Sequence, residues 1–270
     1  MSRRPASAQQ RASDRLPAPV ARRRDLALEQ AIADDRVAIH FQPQIEPASG
    51  RVVSVEALAR WDGEESAQHL FERAKRAGLK ERLSRFVQRK ALRIAGQWAP
   101  PLSDLRLSIN LLAEDLAREG YDDWLLAEIA AAGLAADRVT IEITESSLLA
   151  DRSLAARRLS RLREAGVEVA IDDFGTGYSS MAYLTSLPLD ALKIDRGLVV
   201  DLVGGKRDRI VVRAMIGMAR ELDLKVVVEG VETDEQLALL AEWGCDLYQG
   251  FLGAAPLNER ELADFVAAAA

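Results

Sequence analysis

The sequence predicts an α/β fold, an eight-stranded β/α barrel whose first two strands pair antiparallel. Three observations carry that expectation. Strand-like and helix-like stretches alternate along most of the chain, with about eight strands in all. Two early strand candidates, residues 37–44 and 51–58, are joined only by EPASG, too short for a helical crossover, so they form a hairpin. Charged residues recur near the C-terminal ends of strands, the end at which such barrels keep their active sites. An open doubly wound sheet is the structural alternative, but neither G-x-G-x-x-G nor a P-loop occurs to support it.

The 270 residues, 49% hydrophobic, suffice for one large domain or two small ones. A net charge of -6 argues against DNA, RNA or an anionic membrane as the partner of the whole surface. A cation-loaded site within an acidic chain still attracts phosphate locally. Cys245 is the only cysteine, which excludes an intramolecular disulfide and favours a reducing compartment. No run is long and apolar enough to span a bilayer, and no apolar stretch follows Arg3 and Arg4 to make an export signal. The expectation is a cytoplasmic chain with no membrane span. Residues 1–24, rich in Arg, Ala, Ser, Gln and Pro and without periodicity, read as a disordered tail or linker. Residues 25–270 read as the folded domain.

In order, residues 25–33 read as a short helix with Leu26, Leu28 and Ile32 apolar. After the hairpin, strands are expected at 105–110, 139–144, 168–173, 191–195, 225–229 and 247–251. Helices are expected at 67–98, 121–132, 153–165, 179–187, 208–222 and 233–243. The most informative stretch is VEVAIDDFGTGYSS, residues 167–180. Val167, Val169 and Ile171 alternate with Glu168, Ala170 and Asp172, and the strand ends on two adjacent acids, Asp172 and Asp173. Gly175 and Gly177 then provide a turn, and Ser179 and Ser180 offer helix caps. Cys245, just before a strand, reads as a buried small residue. Trp61, Trp98, Trp124 and Trp243 read as packing.

Each strand carries one polar intruder. Glu56 sits between Val55 and Ala57, Glu142 between Ile141 and Ile143, and Lys193 between Leu192 and Ile194. Asp172 follows Ile171, Glu229 follows three valines, and Asn110 closes LRLSIN. The apolar neighbours claim the helix side, so Glu56, Glu142, Asp172, Lys193 and Glu229 point into the barrel mouth. Any one of these acids alone reads as an ordinary ion pair or cap. Gathered together, they outnumber the one lysine and need further positive charge. All-oxygen donors suit Mg²⁺ or Mn²⁺, with Ca²⁺ chemically admissible. The scarcity of histidine, only His40 and His69, argues against structural zinc. Adjacent Asp172 and Asp173 suggest a bridging ligand for two cations, the arrangement that clamps an in-line phosphoryl displacement. Lys193 then orients or deprotonates the attacking water, stabilises developing charge, or serves only as a buried counter-ion. The sequence leaves these roles open.

The segment Glu56-Ala57-Leu58, continued by Ala59-Arg60-Trp61, resembles the signature of the EAL-domain cyclic di-GMP phosphodiesterases. Further blocks follow in that family's order: FQP at 41–43, SIN at 108–110, IEITES at 141–146, DDFGTGYSS at 172–180, LKID at 192–195, VEGVET at 228–233, and QGF with Pro256. The likeness spans about residues 25–260. It implies a modified TIM (β/α)8 barrel with an antiparallel first strand pair, hydrolysing cyclic di-GMP to linear pGpG with two Mg²⁺ or Mn²⁺ ions. By resemblance, Glu56, Asn110, Glu142, Asp172 and Asp173 are metal ligands, Lys193 handles the water, and Glu229 stands beside the metals. Glu145 resembles the acid that steadies the DDFGTGYSS loop, and Arg60 resembles a phosphate contact. Gln42 and Gln249 resemble substrate-side or bracing amides, and Leu58 belongs to the same substrate-facing segment. The family's dimers use the region after that loop, so Met181, Leu184 and Leu187 serve either a homodimer or their own barrel. One departure stands out: DGEESAQHLFERAKRAGL, residues 62–79, is about four residues short, with Lys75 where the family has Glu. Lys75 reads as solvated. The short loop favours, as the alternative reading, a silent cyclic di-GMP sensor. A more distant one is a barrel metallohydrolase for another phosphodiester.

Overall fold

The computed structural model describes residues 24–64, 66–144, 152–175 and 181–269. Its strands are β1 (Ala38–Ile45), β2 (Val52–Arg60), β3 (Arg106–Leu111), β4 (Val139–Thr144), β5 (Glu168–Phe174), β6 (Ala191–Ile194), β7 (Lys225–Val228) and β8 (Leu247–Tyr248). They close in chain order into a barrel. β1 runs antiparallel to both β2 and β8, and the remaining pairs are parallel. The hairpin expected from EPASG is present. Glu46 N donates to Arg51 O at 3.0 Å, and Gly50 turns the chain at a φ of 71°.

Strand parity explains the closure. Val55, Leu107, Ile109, Ile141, Ile143, Val169, Ile171, Leu192, Ile194, Val226 and Val228 are buried and meet the surrounding helices. The alternate residues face the barrel axis, and Glu56, Asn110, Glu142, Asp172 and Lys193 are among them. Around the barrel the helices are α1 (Leu26–Ala33), α2 (Ala67–Ala77), α3 (Lys80–Ala95), α4 (Ala113–Ala117), α5 (Tyr121–Ala131), α6 (Arg152–Glu164), α7 (Met181–Ser186), α8 (Lys206–Glu221), α9 (Asp234–Trp243) and α10 (Glu259–Ala269). Several begin on the caps their sequences supply. Asp25 accepts from Leu28 N, Ser66 from His69 N, and Thr233 forms a capping box with Gln236.

Some expectations are corrected. The single helix expected over 67–98 is two, because Gly78 adopts a φ of 73° and closes α2 with bonds to Ala74 O and Lys75 O. A left-handed glycine is a common helix stop, and here it redirects the chain into α3. Helices α4 and α10 were not anticipated. α10 is amphipathic, with Leu262 buried beneath it. β6 and β7 end one residue early, leaving Asp195 and Glu229 just beyond them, and β8 is two residues long. The expected tail, apart from Arg24, lies outside the described residues.

The tryptophans pack as expected. Trp98 stacks edge-on against Phe41 at 5.2 Å, and Trp61 lies under the Arg73 guanidinium at 4.6 Å. Among the described residues no helix is long and apolar enough to cross a membrane. Cys245 is 8% exposed, with its thiol 2.9 Å from Leu247 O. Burial, reinforced by Asp246, pushes that thiol up to about 12. A thiol with an ordinary value near 8.5 holds roughly a thousandfold more thiolate at neutral pH. Native protein is therefore expected to resist a thiol-reactive chromogenic disulfide, and urea-unfolded protein to react fully. Rapid stoichiometric labelling of the native chain would contradict the burial.

Candidate active site

The site is organised by one ammonium group. Lys193, from β6, is 1% exposed, and its Nζ lies 2.7 Å from Glu142 Oε2 and 2.7 Å from Glu229 Oε1. The same nitrogen is 3.2 Å from Asp172 Oδ1 and 3.6 Å from Glu56 Oε2. These four acids come from β2, β4, β5 and the end of β7, so strand register alone brings them together. The intruders expected at the mouth do converge there.

Three amides brace the acids. Asn110 Nδ2 donates to Glu56 Oε1 at 2.7 Å, and Gln249 Nε2 donates to Glu56 Oε2 at 2.7 Å and to Gln42 Oε1 at 3.0 Å. Gln44, missed from the sequence, donates to Gln249 Oε1 at 3.1 Å and reaches Glu142 Oε1 at 3.4 Å. Its signal was present, because it shares the parity of Gln42 on β1. Further support lies behind Asn110. Gln88 of α3 donates to Asn110 O at 2.9 Å and accepts from Tyr121 OH at 2.8 Å. Ser84 and Gln88 sit one turn apart in an otherwise apolar helix stripe, a legible sign of a buried polar network.

The electrostatics show that one cation is too few. Burial opposes the Glu56 carboxylate, but Lys193 and the amides of Gln249 and Asn110 outweigh it, leaving Glu56 below the usual range. Burial raises Glu142 well above that range despite Lys193, with Glu56 and Asp172 adding repulsion. Asp172 is raised by burial in the same way. Glu229 is pushed up to about 8, by burial first, against the pull of Lys193 and with repulsion from Asp172 and Glu56. Asp173 is pushed to about 6 by burial and by its neighbours Asp172 and Asp195. Lys193 is raised far above an ordinary lysine, because its acids overcome the burial that opposes its charge. Acids whose charge is opposed by burial and by one another are the groups that a divalent cation relieves. Asp172, Asp173 and Glu229 can each offer one oxygen with all three within 4.8 Å of one another. This all-oxygen donor set fits a hard divalent cation. Asp173 adopts a φ of 56°, a conformation that costs a non-glycine residue free energy and is typical of functional sites.

Beside the acids opens a cavity of about 520 Å³ lined by Gln42, Leu58, Arg60, Gln68, Arg196, Glu229, Gln249 and Phe251. Leu58, Arg60, Gln42 and Gln249 thus share one wall system. Arg60 makes one bond, to Ala59 O at 2.9 Å, and no carboxylate pairs with it among the described residues. Arg196 and Phe251 were not anticipated as lining residues. The short loop after Trp61 leads into α2, whose first residues reach this cavity, while Lys75 is exposed on the far turn. Glu145 lies outside the described residues.

A closed barrel with an acid–lysine layer at its C-terminal mouth offers an all-oxygen donor set suited to a divalent cation. The EAL domain family model matches residues 25–256, and the chain belongs to that family. The cyclic di-GMP phosphodiesterase NbdA of Pseudomonas aeruginosa is 41% identical over 251 residues, 89% of this chain and 31% of that protein. The solved structure of the PaMucR phosphodiesterase in complex with c-di-GMP matches with a TM-score of 0.82 at 33% identity. That match covers 88% of this chain and 98% of the other. BlrP1 of Klebsiella pneumoniae, solved with cy-diGMP and calcium or manganese, matches with a TM-score of 0.75 at 36% identity. It covers 82% of this chain and 56% of that one. The chain spans about a third of the length of the curated relatives it matches.

Replacing Lys193 by Met should cost about 3–5 kcal/mol in urea unfolding of the metal-stripped chain, because it strands buried acids without their counter-charge. A loss under about 1 kcal/mol, the ordinary worth of a surface pair, would show that the layer is not held by its lysine.

Proposed function

We propose that the chain hydrolyses one phosphodiester of cyclic di-GMP to linear pGpG, using two divalent cations, Mg²⁺ or Mn²⁺. The observation that carries the reading is the buried layer of Glu56, Glu142, Asp172 and Glu229 around Lys193, which meets the Arg60-lined cavity at Glu229. Asp172, Asp173 and Glu229, with Glu56, Asn110 and Glu142, would hold the cations. When bound, such ions supply Lewis-acid charge stabilisation and a more acidic attacking water.

The rest of the chemistry belongs to the chain. Asn110 and Gln249 fix both oxygens of Glu56, so its carboxylate cannot rotate away from the site. Lys193 has three donors and more acceptors than it can satisfy at once. It is suited to turning one N–H toward the attacking water or the developing charge. Arg60 has guanidinium donors unused inside the cavity, the geometry that suits a phosphate oxygen. Leu58 and Phe251 offer apolar surface for a base, and Gln42 holds Gln249 in register at the cavity wall. Glu145 is assigned, by the same reading, to steadying the loop after Asp173.

The proposed substrate is a soluble signalling nucleotide, which goes with a cytoplasmic site of action and not with a DNA or RNA polymer. The homodimer through 179–187 remains part of the proposal. Tyr183, Leu184 and Leu187 pack into their own barrel, and Met181, 55% exposed, is the residue left for a partner. The second reading, a silent cyclic di-GMP sensor, is favoured only by the shortened segment 62–79, of which Ser66, Ala67 and Gln68 line the cavity.

Incubating the purified chain with cyclic di-GMP and Mg²⁺ or Mn²⁺ is expected to yield pGpG, and Glu56→Ala to reduce the rate by about 10²-fold or more. Tight binding without turnover in either metal would support the sensor. Neither binding nor turnover would redirect the site to another phosphodiester.

A further inference from the structure

The barrel core beneath the acid–lysine layer is built unlike an ordinary barrel core. Such cores are filled by layers of bulky branched side chains. Here the wall below Glu56, Glu142 and Lys193 includes Ser54, Ser108, Thr140, Ala170 and Ala191, with Val227 and Leu247 among its branched side chains. Strand register sets Ser108 against Thr140 and Ala170 against Ala191. These side chains are too small to fill the space, and a chamber of about 210 Å³ remains. It runs from the underside of Glu142 and Lys193 to the N-terminal rim, where Arg51, Lys225 and Asp246 are exposed.

Two hydroxyls line this chamber with nothing to bond. Ser108 is 2% and Thr140 8% exposed. Neither side chain has a hydrogen-bond partner among the described residues, whereas the neighbouring Ser54 hydroxyl donates to Gln44 Oε1. A buried hydroxyl left unsatisfied costs about 1–3 kcal/mol, and a barrel that could have placed Ala and Val here keeps two of them. Glu142 adds to the demand. Its Oε2 takes Lys193, while its Oε1 has only the long 3.4 Å contact from Gln44. One water needs roughly 10–15 Å³ for its centre together with two to four polar partners, so the chamber has both the room and the partners.

We propose that ordered water fills this chamber, entering from the N-terminal rim and bonding to Ser108, Thr140 and Glu142. It forms a second solvent entrance to the site, opposite the mouth where a ligand would sit. The chamber then solvates the closed side of the acid–lysine layer, and the small residues are kept because filling them would strand Glu142. The rim supports the entrance. There Glu168 bridges two cations, 2.7 Å from Arg106 Nη2 and 2.9 Å from Lys225 Nζ, so polar groups line this end of the barrel.

Thr140→Val tests the proposal by sign, since the two side chains share shape and strand preference. With water in the chamber the variant loses a bonded hydroxyl. Its urea midpoint should fall, the unfolding equilibrium constant rising about fivefold. In a dry chamber the same change removes an unsatisfied group, and the midpoint rises. A midpoint that rises or stays unchanged overturns the proposal. A high-resolution crystal structure of the unaltered full chain gives an independent reading. Waters within bonding distance of Ser108 Oγ and Thr140 Oγ1 are expected, and an empty chamber, or one that takes up xenon under pressure, overturns the proposal.

Discussion

The constraint on which the rest of the structure depends is the imbalance between one buried ammonium and the acids around it. Lys193 is within ion-pair distance of four carboxylates, and Asp173 stands beside them. Burial opposes the charge on every one of these groups, the acids repel one another, and Lys193 with the bracing amides offsets part of that cost. Glu56 has the best-braced carboxylate and is held below the usual carboxylate range, while Glu142, Asp172, Asp173 and Glu229 are pushed upward. A layer in that state is built to receive more positive charge.

The barrel makes such a layer possible because register, not loop conformation, sets its geometry. Glu56 is paired across the sheet with Gln42 and Ser108, and Glu142 with Asn110 and Ala170. Each acid therefore arrives with an amide or a small residue at its side. The antiparallel β1 is part of the device, since it brings Gln42 and Gln44 against Gln249 and closes a chain of amides behind Glu56. Site residues on rigid strands hold their positions more closely than residues on loops.

Much of this was legible in the sequence. A charged residue bracketed by aliphatics in a strand must face away from the helices, and that parity places Glu56, Glu142, Asp172 and Lys193 at the barrel axis. The hairpin followed from the length of EPASG. What escaped the sequence depended on contacts between distant segments. Gln88 and Tyr121 support Asn110 from outside the barrel, and nothing local in α3 says which strand they reach. Gln44 shares the parity of Gln42, but nothing in β1 says that it reaches Gln249 and Glu142. The break at Gly78 was readable as a left-handed helix stop, but the apolar periodicity on both sides disguised it. The chamber beneath the site was visible only as small residues whose meaning depends on what lies opposite them.

The most direct measurement is a calorimetric titration of Mn²⁺ into the metal-stripped chain at pH 7, repeated in two buffers of different ionisation enthalpy. Crowded acids, with Glu229 pushed to about 8, must surrender protons as a cation enters, so saturable binding with buffer-dependent heat is expected. Absence of binding at millimolar Mn²⁺, or binding whose heat is identical in both buffers, would contradict the account.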